Sequence, residues 1–253
     1  MTILLVLALV IIPIGLGAIF ILFSRWSNSQ APFYLFILNI GAMITAALAA
    51  SFSTSPLRFC FTWQPSAGEM CVSFEKSSLL LVLLTNVSLL LMIAIYHRQT
   101  PKISSQQLGL VLISISAANI AFLTEHFLLR YAALDAAGLC VVSASLALSS
   151  SGRRTWNNTK LIFLNFRLGD IGLLAAILLF LAYSGTFDIS QNFNLAAELP
   201  LTTRVVLTVG LLSAVWVKIA IWPLDFWADL CSSLPPVMRS WFVDLLMPSL
   251  GAY

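Results

Sequence analysis

Four ionisable side chains lie inside apolar stretches of this chain. They are Asp135 in LLRYAALDAAGLCVV, Asp170 in FLNFRLGDIGLLAAI, Lys218 in VWVKIAIWPLDFW and Asp244 in RSWFVDLLMPS. Carboxylates and an amine can exchange protons with water and with one another, which a guanidinium does not do near neutral pH. In hydrocarbon each such group costs about 2.5–3.5 kcal/mol on insertion scales, so groups of this kind pair, hydrate or relay protons. Each also has a plainer use. Arg167 stands three residues before Asp170 and would face it on a helix as a local ion pair. Lys218 could reach a surface along its four-carbon stem, and Arg239 is five residues from Asp244. Asp135 has no cation nearer in sequence than Arg130, so scaffolding explains it least. Pro223, five residues after Lys218, removes a helix hydrogen bond. Transporters place such a break beside a buried charge, where the freed carbonyls face protein or a wet cavity.

The elements that position these groups follow from composition. Of 253 residues, 60% are hydrophobic and 9% charged, with mean hydropathy +0.97. A soluble domain carries roughly 25% charged residues, so this chain cannot cover a water-facing surface. It reads as an all-α, polytopic transmembrane bundle, one domain over residues 1–253. Eight spans are expected, at about Ile3–Phe23, Pro32–Phe52, Ser77–Tyr96, Gln107–Leu123, Phe127–Leu148, Leu161–Tyr183, Thr202–Trp222 and Pro236–Tyr253. The first is too long and lacks the basic start of a signal peptide, so it reads as a retained helix. No polar flank follows the last, and the chain is expected to continue past Tyr253.

Loop charges set the expected orientation. With the N-terminus outside, the inside loops hold Arg25, Arg98, Lys102, Arg153, Arg154 and Lys160, against Arg58, Lys76 and Arg204 outside. The outer loop 53–76 then contains Cys60 and Cys71, either as a disulfide or as two free thiols. Cys140 and Cys231 stand apart, and His97 and His126 read as solvated loop residues. The chain shows no CxxC, no His/Cys cluster, no phosphate loop, no GxSxG and no HExxH. Hence no metal and no cofactor is expected. The net charge of +3 resides in short loops and offers nucleic acid no patch.

The motifs around the charges resemble the antiporter-type subunits shared by respiratory complex I, Mrp cation/proton antiporters and DabB-type inorganic-carbon uptake systems. EHFLLRYAALDAAGLC resembles that family's DNLLLMYLGWEGVGLC: Leu129, Tyr131, Gly138, Leu139 and Cys140 match, and Asp135 falls on its functional glutamate. RLGD at 167–170 resembles RVGD. KIAIWPLDFW resembles KSAQxPLxxW, with Lys218 on the key lysine and Pro223 and Trp227 in register. Asp229 and Pro236–Val237 fit WLxDAMxGPTPV after one deletion. The departures are the shorter Asp135, Ile219 and Ile221 for serine and glutamine, and Phe242 for a histidine, with Asp244 the nearest ionisable group.

The resemblance implies the first part of a fold of about fourteen helices in two inverted repeats. It also implies Asp135 and Lys218 as the switching pair of a proton relay, with a seventh helix broken at Pro223; the family's onward relay does not carry over, and Asp170 and Asp244 join the expected relay as the remaining buried ionisable groups. The chain would be a subunit, not catalytic alone, in a bacterial inner membrane. Its partners besides the lipid bilayer would be other membrane or peripheral subunits. A zinc protein that hydrates carbon dioxide, energised by the proton gradient, is the favoured partner. Complex I subunits or an Mrp-type antiporter are the alternative, and a structural anchor without proton transport is the reading from another class.

Overall fold

A computed structural model describes residues 2–23, 30–53, 57–62, 69–99, 103–148 and 153–253. Arg25 and Lys102, and the side chains of His97, Arg98, Arg153 and Arg154, lie outside the described residues. The helices are α1 (Thr2–Leu22), α2 (Ala31–Ser51), α3 (Lys76–Gln99), α4 (Ser105–Leu123), α5 (Phe127–Leu148), α6 (Arg153–Ser184), α7 (Ile189–Ala196), α8 (Leu201–Ile219), α9 (Phe226–Leu230) and α10 (236–252). Among the described residues, seven helices are long and apolar enough to cross a membrane: α1 to α6 and α8. The chain is an integral membrane protein. The eighth expected span is α10, in which a π-helical segment, Ser240–Leu246, separates two short α-helical pieces.

Boundaries differ from expectation where polarity or backbone overrides hydropathy. Helix α6 begins eight residues early, because the polar RRTWNNTK continues the helix beyond the apolar run. Helix α8 ends at Ile219, three residues before the expected end, because Ala220 adopts the left-handed conformation (φ 58°, ψ 52°). The N-terminus of α4 is fixed by a capping box between Ser104 and Gln107.

Helix α4 is the central element: 78% of its most apolar stretch is buried, against 22–44% for the other six. Apart from the Ser105 hydroxyl at its start, its inward polar groups find partners. Asn119 donates to the Leu9 carbonyl (3.0 Å), which belongs to a π-helical turn of α1, and accepts from Asn86 (3.3 Å). Ser114 accepts from the Trp241 indole of α10 (2.8 Å). Buried polar groups in a membrane need such partners, since no water competes for them.

One departure from the all-α expectation is a hairpin, β1 (Leu57–Thr62) with β2 (Glu69–Phe74), antiparallel, with Cys60 opposite Cys71. A disulfide joins those two cysteines. The Cys71 carbonyl accepts from the Glu125 N–H (3.1 Å) and the Thr124 hydroxyl (3.3 Å), and Arg58 pairs with Glu125. Arg58 is thereby held above the ordinary guanidinium value, by its hydrogen bond to Glu125 and then by that carboxylate's charge. The hairpin is thus pinned to the α4–α5 junction. His126, expected as a solvated loop residue, is 3% exposed in that junction, with its ring against Phe187.

Candidate functional site

Helices α6 and α8 pack closely along their length, and small residues let them approach. A Cβ on Gly210 would stand 2.6 Å from the Gly172 carbonyl oxygen. One on Gly172 would stand 1.9 Å from Ser213 Oγ. Backbones meet this closely in membranes only over such residues. Two residues before Gly172 lies Asp170, and eight after Gly210 lies Lys218. The antiparallel crossing brings them together: Lys218 Nζ donates to Asp170 Oδ1 at 3.2 Å. Their side chains are 3% and 4% exposed.

The pair continues into a row. Arg167 reaches Asp170 Oδ2 at 3.8 Å, and its other terminal nitrogen pairs with Asp135 of α5. The order is Asp135–Arg167–Asp170–Lys218, with signs alternating. The expected direct Asp135–Lys218 pair is not what the structure shows. Arg167 comes between, because one turn of α6 faces both α5 and α8. Asp135 and Arg167 are about a quarter exposed (25% and 28%), so this end of the row is less enclosed. Asp244 takes no part: it lies on the exposed side of the π-helical segment and has no ion pair among the described residues.

Lys218 sits in the last turn of α8, where the helix dipole favours a cation. The break that follows begins at Ala220, ahead of Pro223; the Trp222–Pro223 peptide is cis. Side chains bind backbone carbonyls on both sides of the break. The Trp227 indole donates to the Val217 carbonyl (2.8 Å), Trp216 to that of Trp222 (3.0 Å) and Asn165 to that of Leu224 (3.0 Å). From the other side Gly251 of α10 lies so close that a Cβ there would be 3.1 Å from Lys218 Cβ. A cavity of about 210 Å³ adjoins the lysine, lined by Tyr131, Leu134, Ala214 and Arg130 among others.

Sequence reasoning placed Asp135, Asp170 and Lys218 but gave Arg167 only a local role. The signal for more was the RLGD tetrapeptide itself, which sets a fixed cation one turn from a buried carboxylate. Glu69 lies near Cys60 and Cys71. That group offers no metal its sulfurs, since both are in the disulfide.

Residues 124–253 match the family model described as "NADH:quinone oxidoreductase/Mrp antiporter, TM". No curated protein sequence matches the chain. Among solved structures, the chain is similar to one in the Mrp complex from Dietzia sp. DQ12-45-1b, with TM-score 0.80 and 18% identity over 99% of this chain and 47% of that one. A chain of the membrane-bound sulfane sulfur reductase, an archaeal respiratory membrane complex, gives 0.78 and 16% over 97% and 38%. One in respiratory complex I from Thermus thermophilus with bound NADH gives 0.75 and 20% over 98% and 54%. At these identities the likeness is one of fold, and the chain spans about half or less of each solved chain.

Proposed function

Because the chain belongs to the NADH:quinone oxidoreductase/Mrp antiporter transmembrane family, we propose that it is a proton-conducting subunit of a larger membrane complex, with Lys218 and Asp170 as the exchanging pair. The observation that carries this is a lysine–aspartate pair nearly sealed from solvent, set one residue from the end of a helix whose continuation is broken. While Nζ rests on Asp170, the ammonium is matched. A shift of the segment 220–225 draws Nζ away, and the proton leaves nitrogen for water in the adjoining cavity. Arg167 cannot carry the proton. It moves its charge toward Asp170 instead, and so links Asp135 electrically to the lysine.

The finer reading is a DabB-type subunit that energises a zinc protein hydrating carbon dioxide, in a bacterial inner membrane with the N-terminus outside. What supports it is departure from the family's polar pattern beyond Lys218: Ile219 and Ile221 stand for its serine and glutamine, and a fully buried Phe242 for its histidine. The alternative is a respiratory or Mrp-type partner, favoured by the complexes to which the similar chains belong. Purifying the native complex separates the two: bound zinc with carbon dioxide hydration supports the first, quinone reduction or sodium/proton exchange the second.

The general proposal is tested with Lys218→Met, Lys218→Arg and Asp170→Asn, assayed for proton-dependent activity in vesicles at matched membrane abundance. All three should lose coupled activity. Normal activity in Lys218→Met would refute proton conduction through this site and leave a structural anchor.

A further inference from the structure

A second cavity, of about 220 Å³, opens beside the hairpin and is lined by Glu75, Ser78, Glu125 and Ser190 among others. It shares two lining residues with the lysine cavity, Arg130 and Tyr253. The Arg130 guanidinium lies over the Tyr253 ring, 4.6 Å from its centroid, where it is held as a cation on a π-face. The Tyr253 hydroxyl donates to the Phe122 carbonyl (2.9 Å) and meets Ser78 Oγ (3.1 Å), and its ring packs edge-on against Phe122. Arg130 itself donates to the Thr124 carbonyl (3.1 Å), while its Nε is buried without a hydrogen-bond partner. Among the described residues no carboxylate pairs with it.

We propose that the Arg130–Tyr253 stack is a plug, which closes an approach to Lys218 from the hairpin side against water, protons and other cations. The placement carries it. On one side of the stack the exposed Glu75 carboxylate draws cations from solution, while Glu125 is taken by Arg58; on the other stands the lysine of the proposed relay. A fixed positive charge in a narrow passage repels cations and protons, and apolar walls keep the constriction dry. The partners of Arg130 are a carbonyl and a ring, both neutral, so nothing in contact with it cancels its charge. The position departs from the family pattern quoted above, which has methionine there. The plug rests on the proton-conducting reading only for its purpose; its existence is a matter of access.

The test measures that access in the full-length protein in membrane vesicles. Val215→Cys places a thiol on the wall of the lysine cavity, and Asn194→Cys on exposed α7 marks the hairpin face. A membrane-impermeant cationic methanethiosulfonate reagent is applied to each face in turn, with Cys140 and Cys231 of the unsubstituted protein as baseline. With Arg130 present, the thiol at 215 should react slowly from the hairpin face. Adding Arg130→Met should speed it at least about tenfold, as a repelling, dewetted constriction becomes passable, and speed it less for an anionic reagent of the same size. Should Arg130→Met fail to reach the membrane, Tyr253→Ala removes the other half of the plug and should give the same rise. Unchanged rates in these variants, or a rise from the opposite face only, would overturn the plug. Proton permeability is read on the same vesicles: faster labelling without a leak keeps the plug and counts against the proton reading, so the two fail separately.

Discussion

Replacing Asp170 by asparagine should damage the protein far more than the same change at Asp135, and the structure says by how much. Lys218 and Asp170 are 3% and 4% exposed and 3.2 Å apart. Removing Asp170 strands the buried Lys218 ammonium, which costs about 3–5 kcal/mol; removing Lys218 leaves Asp170 with Arg167 at 3.8 Å and costs less. The Asp135–Arg167 pair is about a quarter exposed, and solvent screening reduces its worth to about 1 kcal/mol or less. Asp170→Asn should destabilise by the larger amount, and Lys218→Met by less. The double variant leaves no stranded charge at this end of the row. It should therefore recover a coupling of at least about 2 kcal/mol relative to the summed single effects. Equilibrium unfolding in mixed micelles, with Asp135→Asn as comparison, measures all four. Strict additivity of the two single changes would refute the argument, as would an Asp135→Asn effect equal to that of Asp170→Asn.

Gly210→Ala puts a methyl 2.6 Å from the Gly172 carbonyl and should lower the melting temperature by several degrees, whereas Gly41→Ala, with open space around it, should leave it unchanged; thermal unfolding of both decides. Trp227→Phe removes one of the two donors to the Val217 carbonyl and should cost about 1 kcal/mol in the same unfolding assay while the protein still assembles. Cys60→Ser with Cys71→Ser frees an eleven-residue separation; limited proteolysis should then cut the hairpin much faster, with the helices intact. Non-reducing peptide mapping of the unaltered protein should recover both cysteines in one linked fragment.

The spans were legible because hydrocarbon leaves the chain no choice: twenty apolar residues become a helix. The charges stood out for the same reason. What pairs with what was not legible, because it depends on which helix crosses which, and at what depth. Arg167 reads in sequence as the local partner of Asp170, yet its closer partner is Asp135, thirty-two residues away. The glycines that bring α6 onto α8 would have indicated the crossing, but Gly172 and Gly210 form no pattern until the helices are placed. His126 read as solvated because it stands at a helix junction; it is buried because the α7 entrance folds back over that junction, with the Ile189 N–H on the Glu125 carbonyl (2.9 Å). The break begins at Ala220, three residues ahead of Pro223. The left-handed Ala220 that begins it carries no signal in its side chain.

The alternation of sign along Asp135–Arg167–Asp170–Lys218 has an electrical meaning. At their ordinary charges the four groups sum to zero, so a uniform transmembrane voltage exerts no net force on the row. It can tilt the charges against one another but cannot drive them across. Remove or add a single proton and the row becomes a unit charge, on which 100 mV spanning the full membrane acts with about 2.3 kcal/mol. The neutral row is thus insulated from the membrane potential until a proton arrives or leaves, and only in that interval does voltage have a handle on it.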